Sequence, residues 1–263
     1  MTSQNLIFFD IDGTLLDASG QIPPSAQKAI ALAQKKGNLC FVNTGRPYSH
    51  LVPAVKNLPF DGYICSCSQQ ILLGGKTILH ARFSPAEAKE IVALVEACHL
   101  DAVYEAEHGV WFQSTHANSP SVDHTKAHFI ALGFDVDGRI DTDDFCFDKF
   151  CVWTQEDSDR ALFIEKARVL CTVIEREGNL IELVRKGYSK ETGIQTVIDH
   201  FGADIDCTYA LGDSTNDLPM LRCVSHGIAM GNAPEIVQNA ADYVTQTAEE
   251  NGIYNALAHY GLI

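Results

Sequence analysis

Short apolar runs alternate with helix-period stretches over the first ninety residues and again over the last third of the chain, the pattern of a parallel sheet covered by helices. Residues 5–10 read as a strand and residues 24–36 as an amphipathic helix closed by Gly37, followed by a second strand at 39–43. Pro47 sits at the favoured first position of another helix running towards Lys56, and residues 63–65 form a short buried strand. The alternation resumes with a helix over 190–201, strands at 208–211 and 227–230, a helix near 234–241 and a closing strand at 243–244. Both ends of the chain therefore predict one doubly wound, Rossmann-like α/β sheet.

The middle has a different rhythm. A helix at 85–98 precedes two strand-like runs, 102–105 and 110–113, that turn at Glu107-His108-Gly109. After a polar, histidine-containing stretch come a strand at 147–154, a helix at 159–171, and a hairpin of 172–175 with 180–183 around Glu177-Gly178-Asn179. The expected organisation is a discontinuous catalytic core, residues 1–83 and 184–263, with an inserted α+β domain at 84–183.

Composition narrows the class. With 263 residues, 46% of them hydrophobic, the chain can bury a substantial core. Its 19 basic and 34 acidic residues give a net charge of −15, which repels nucleic-acid phosphates and anionic membranes. No basic leader precedes a long apolar segment, and nowhere do eighteen uncharged apolar residues run together. Nine cysteines without regular spacing point to reduced thiols, Cys65 and Cys67 being read as buried strand thiols rather than half of a metal site. The expectation is a cytoplasmic protein with no nucleic-acid or membrane partner. His124 and His128, four apart, read as a surface pair on one helix face.

The candidate chemistry lies at strand ends. Asp10-Ile11-Asp12-Gly13-Thr14 sets two carboxylates one residue apart at the carboxyl end of the first strand, where doubly wound sheets gather ligands. Two acids so close repel one another unless a cation intervenes, and a hard ion such as Mg²⁺ would relieve that repulsion while leaving room for a phosphate. Asn43-Thr44-Gly45-Arg46 ends the second strand with a hydroxyl, backbone donors and a cation, a phosphate cradle in miniature. Lys190 opens a helix as a point charge within reach of a phosphoryl oxygen, and Gly212-Asp213-Ser214-Thr215-Asn216-Asp217 repeats the acids at the end of another buried strand.

In order, these four elements resemble the four motifs of the haloacid dehalogenase (HAD) superfamily of phosphatases. The stretch from Gly227 to Ala233, with Ala241-Asp242-Tyr243-Val244 and Asn251-Gly252-Ile253, resembles its Cof-type branch, and an insertion between the second and third motifs resembles a type IIB cap. The resemblance implies Asp10 as the nucleophile that forms an aspartyl-phosphate, and Asp12 as general acid and then base. It implies Mg²⁺ held by Asp10, the Asp12 backbone carbonyl and Asp213, with Asp217 orienting Lys190 or the metal's waters. Thr44, Gly45, Arg46, Lys190 and Asn216 would surround the phosphate, and a cap would exclude water.

The implied substrates are small phosphorylated metabolites, sugar phosphates first. A sugar-phosphate mutase or phosphotransferase on the same scaffold, or a non-catalytic phospholigand-binding regulator, are the alternatives, and oligomeric state is not legible. Cys67-Ser68-Gln69 stands where many relatives carry Asn-Gly-Ala, and Glu191 where a glycine usually follows the lysine. Trp111, Phe147, Lys149 and Trp153 are candidates either to line the cap's side of the site or to fill the cap core.

Overall fold

The computed structural model describes residues 4–107, 109–176 and 178–263. These form two compact units, one holding the chain up to Arg46 with Leu51–Leu79 and Ser189–Ile263, the other Pro47–His50 and His80–Tyr188. The second unit's main segment thus runs from 80 to 188, against the 84–183 read from the sequence, because Phe83 bridges to Phe147 and its last strand continues to Arg185.

The first unit begins with β1 (Leu6–Phe9), whose four apolar residues are buried on both faces, as a central parallel strand requires. α1 (Pro24–Lys35) leads to β2 (Leu39–Asn43). The helix expected over 47–56 is interrupted: Tyr48–His50 makes one 3₁₀ turn, Val52 is extended, and Pro53 starts the separate α2 (Pro53–Lys56). A proline forces the residue before it out of the helical region, so one continuous helix is excluded. After β3 (Gly62–Cys65), β4 (Gln70–Leu73) and β5 (Lys76–His80) extend the sheet, strands that the sequence reading passed over. Their connection is Gly74-Gly75, both at positive φ, a turn that glycine makes without strain.

The second unit comprises α3 (Pro85–Ala97), β6 (Asp101–Ala106), β7 (Gly109–Gln113), α4 (Pro120–Ala131), β8 (Lys149–Trp153), α5 (Arg160–Ala167), β9 (Cys171–Glu175) and β10 (Leu180–Arg185). Its five strands lie in the order β7-β6-β8-β10-β9, antiparallel throughout. Side chains alternate by face. Ala102, Tyr104, Phe150, Val152, Ile181 and Leu183 pack with α3 and α5, and Val103, Val110 and Trp153 with Val122 and Phe129 of α4. α4 occupies the polar, histidine-containing stretch, and its apolar contact rests on two residues seven apart, one face over two turns. The helix expected over 159–171 stops at Ala167, and Cys171 already begins a strand. The turn residues His108 and Glu177 lie outside the described residues.

The chain returns to the first unit with α6 (Lys190–Phe201), β11 (Thr208–Gly212), α7 (Leu218–Cys223), β12 (His226–Ala229), α8 (Glu235–Gln238), β13 (Tyr243–Val244) and α9 (Gly252–His259). Ser189 caps α6 reciprocally with Thr192, and Gly202 ends it in the left-handed conformation, so its bounds follow from local chemistry. The eight-stranded sheet runs β13-β12-β11-β1-β2-β3-β4-β5, parallel from β13 to β3, with β4 antiparallel to β3. Its core joins Leu6, Phe8, Phe41 and Ile64 to Ile194 and Val197 of α6 and to Met220 and Leu221 of α7.

Candidate active site

Sheet register assembles the site. Phe9 pairs with Leu211 on one side and Val42 on the other, so Asp10, Gly212 and Asn43 leave the sheet at one edge. Asp10 is buried, and its amide donates to the Leu211 carbonyl at 3.0 Å. The Lys190 ammonium, 2% exposed, donates to Asp10 Oδ1 at 2.6 Å and to Asp217 Oδ1. Asp217 Oδ2 accepts the amides of Asp213 at 3.0 Å and Ser214 at 2.9 Å. Both oxygens of Asp217 are thus engaged in holding Lys190 and the loop after β11.

Asp213 completes the carboxylate cluster. The Thr14 hydroxyl donates to its Oδ1 at 3.1 Å, and Gly13, at φ 80°, lies so close that a Cβ there would fall 2.3 Å from Asp213 Oδ2. Only glycine satisfies both the backbone angle and the approach. Asn232 adds a tie the sequence reading missed: its side-chain amide donates to the Gly13 carbonyl at 3.0 Å and to Asp213 Oδ2 at 3.3 Å. The signal was present in the Gly231-Asn232-Ala233 stretch, which resembled the family without a role attached. Asn43, likewise unassigned beyond its place in the cradle, donates to the Lys190 carbonyl at 2.8 Å.

Asp12 and Arg46 sit apart from the buried cluster and hold each other. The guanidinium makes a two-pronged contact, Nε to Oδ2 at 2.8 Å and a terminal nitrogen to Oδ1 at 2.6 Å, with both side chains partly exposed. Thr44 is buried and its hydroxyl accepts the Arg46 amide at 3.2 Å, Gly45 is half-buried, and Asn216 accepts a hydrogen bond from the Ser214 hydroxyl. Of the four conceivable lining residues, Phe147 and Trp153 are core of the second unit, Trp111 packs edge-on against Phe145, and Lys149 is buried in an ion pair with Glu182. His124 and His128 are exposed on α4, and Cys65 and Cys67 are buried free thiols.

Charge is unbalanced at the cluster. Asp10, Asp213 and Asp217 present oxygens within 4.8 Å of one another against a single ammonium. Burial, with Asp217 nearby, raises the Asp10 carboxyl well above its usual range despite Lys190, and burial followed by Asp217 pushes Asp213 up to about 6. Burial alone would lower Lys190, but Asp10 and Asp217 outweigh it and hold the ammonium firmly charged. An all-oxygen donor set with surplus negative charge suits a hard divalent cation. With both Asp217 oxygens engaged elsewhere, Asp10 and Asp213 are the carboxylates that could hold such an ion.

A family description, haloacid dehalogenase-like hydrolase, matches residues 7–257. The 5-amino-6-(5-phospho-D-ribitylamino)uracil phosphatase YcsE of Bacillus subtilis (strain 168) is 26% identical, covering 98% of this chain and 96% of its own. Among solved structures, a HAD subclass IIB sugar phosphatase is 28% identical with a TM-score of 0.83, over 99% of this chain and all of that one. A HAD-superfamily phosphatase from Bacteroides thetaiotaomicron is 25% identical with a TM-score of 0.85, over 99% and 96% of the two chains. The chain belongs to the haloacid dehalogenase-like hydrolases, as a phosphatase of the Cof-type branch with a Rossmann-like core and a type IIB cap. Among the described residues no helix is long and apolar enough to cross a membrane.

Proposed function

We propose that this enzyme is a Mg²⁺-dependent phosphatase of small phosphorylated metabolites, sugar phosphates first, working through an aspartyl-phosphate on Asp10. The observation that carries the reading is the Asp10–Lys190–Asp217 ion triplet with Asp213 beside it, at the carboxyl ends of β1 and β11. Asp10 attacks phosphorus, which splits hydrolysis into two displacements. Lys190, held between two carboxylates, steers the Asp10 carboxylate and offsets charge that builds on the phosphoryl oxygens. Asp10 and Asp213 would hold the metal, which would neutralise phosphate charge.

Asp12 protonates the leaving alkoxide and then accepts a proton from the attacking water. Its present partner suggests how that role is timed: an incoming phosphate dianion competes for the Arg46 guanidinium and releases the Asp12 carboxylate, which takes up a proton from solvent before it serves as the acid. Thr44, the Gly45 amide and Asn216 complete the phosphate cradle. Substrate class follows the activities of the relatives, a sugar phosphatase and a phosphatase of a phosphoribitylamino-uracil, both acting on small phosphorylated molecules.

The test is phosphate release from a panel of phosphorylated sugars and other metabolites, with Mg²⁺ and with chelator, beside Asp10→Asn. Metal-dependent release that disappears in the folded variant supports the reading. Release unaffected by chelator or by Asp10→Asn overturns it, and isomerised sugar phosphate without release points to the mutase.

A further inference from the structure

The turn after β3 runs against the preferences of its own residues. Ser66, Cys67 and Ser68 have φ of 49°, 50° and 79°, three consecutive side-chain-bearing residues in the left-handed region where glycine is the usual occupant. Such a run persists where surrounding bonds impose it. Here the Ser66 amide donates to the Arg46 carbonyl at 2.9 Å and the Cys67 amide to the Thr44 carbonyl at 3.1 Å. The turn therefore holds the Thr44-Gly45-Arg46 loop through two backbone bonds.

Ser68 adds a side-chain bond in the other direction. Its hydroxyl, almost fully buried, donates to the Ser189 carbonyl. Ser189 is the N-cap of α6, and Lys190 is that helix's first residue. One turn further, Gly193 lacks the Cβ that would fall 2.3 Å from Ser68 Oγ and 2.9 Å from Ser68 Cβ. α6 thus approaches the turn so closely that any side chain at position 193 would meet Ser68.

We propose that Ser68 is a positioning residue: its hydroxyl ties the start of α6, and with it Lys190, to the turn that holds Thr44, keeping ammonium and cradle in register around one phosphoryl group. This rests on the phosphatase reading above. Glycine would suit the backbone at position 68 better, so the strained serine is informative: its hydroxyl supplies a contact the turn itself does not require. A merely structural serine predicts that Ser68→Gly is silent in turnover. The positioning role predicts that Ser68→Gly relieves strain and yet slows the reaction. Asn43 independently holds the Lys190 carbonyl, so the loss is partial.

Ser68→Gly and Ser68→Ala test this, with kcat and KM on the best phosphorylated substrate, melting temperature, and amide hydrogen exchange in the first turn of α6. For Ser68→Gly the expected result is kcat lower by roughly tenfold with KM within about twofold. Its melting temperature should be unchanged or higher by about 1–2 °C, with faster exchange at Thr192 and Gly193. Ser68→Ala should lose the same turnover and also melt earlier, since alanine keeps the strain without the bond. Wild-type kcat in Ser68→Gly, or a kcat loss matched by the same melting loss as in Ser68→Ala, overturns the proposal. If the wild-type protein releases phosphate from nothing, the phosphatase reading fails while exchange still decides the tie: unchanged first-turn exchange in both variants removes it, and faster exchange upholds it.

Discussion

Each unit of this protein buries one lysine among carboxylates, Lys190 at 2% exposure and Lys149 at 7%. In the first unit Lys190 faces three acids, Asp10, Asp213 and Asp217, and the acids Asp10 and Asp213 are pushed upward. In the second unit Lys149 contacts Glu182 at 2.7 Å and Glu105 at 3.6 Å, Arg176 also donates to Glu182 at 2.9 Å, and His50 lies 3.1 Å from Glu105. There, burial would raise Glu182, but Lys149 and Arg176 outweigh it and hold the carboxyl down at about 2. Glu105 is lowered in the same way, burial being outweighed by Lys149 and His50. Similar burial therefore gives opposite outcomes, and the ratio of charges decides which. A balanced network is satisfied by its own charges; an acid-rich one suits an added cation.

The largest test of that contrast removes each lysine. Lys149→Met leaves two buried glutamates short of a partner and should cost about 3–5 kcal/mol, read by urea unfolding. The fluorescence of Trp111 and Trp153, the chain's two tryptophans, reports on the second unit, which holds both. Lys190→Met also leaves acids uncompensated, but here Mg²⁺ should recover much of the melting temperature by binding them, and should recover none in Lys149→Met. Equal recovery in both variants would break the comparison.

Acid titration sharpens it. Glu182 titrates lower in the folded than in the unfolded protein, so its stabilisation is full above the ordinary value of 4.5 and is lost as pH falls through that point towards about 2. Tryptophan-monitored stability should accordingly drop over that window in the wild type. In Lys149→Met and Arg176→Met the drop should begin at higher pH, and identical acid profiles would show that the pairing does not set the shift. The smallest expected effect is at Arg160, whose pair with Glu175 is about half exposed on both sides. Arg160→Ala should change stability by less than about 0.5 kcal/mol, because water and salt screen an exposed pair.

Strand ends that carry chemistry were legible because a short apolar run such as Leu6–Phe9, set between helix-period stretches, reads as a buried strand, and the polar residues directly after it then lie at the sheet edge. α6 was legible to the residue for a similar reason, since its cap, its apolar period and Gly202 agree. Less legible were β4 and β5, whose Gly-Gly turn went unread, and α4, which shows two apolar residues on its inner face. α9, with Asn251 in the left-handed conformation before it, was read as a family signature rather than as a helix. Asn232 and Asn43 belong to the site through bonds to backbone carbonyls of Gly13 and Lys190, and such contacts have no spacing rule in the chain.

By itself the sequence determined the class of the fold, the family, and the four strand- and helix-end segments that carry the candidate chemistry, because hydrophobic period and local capping act within a few residues of the chain. Only the tertiary structure decided the partners: Asp217 spent on Lys190 and the β11 loop, Asp12 held by Arg46, Ser68 bonded to the start of α6, and Lys149 matched to two glutamates. Those pairings join residues up to 121 positions apart, as Ser68 and Ser189 are. Their energies depend on burial and on how many charges share one space, and neither quantity exists until the chain has folded.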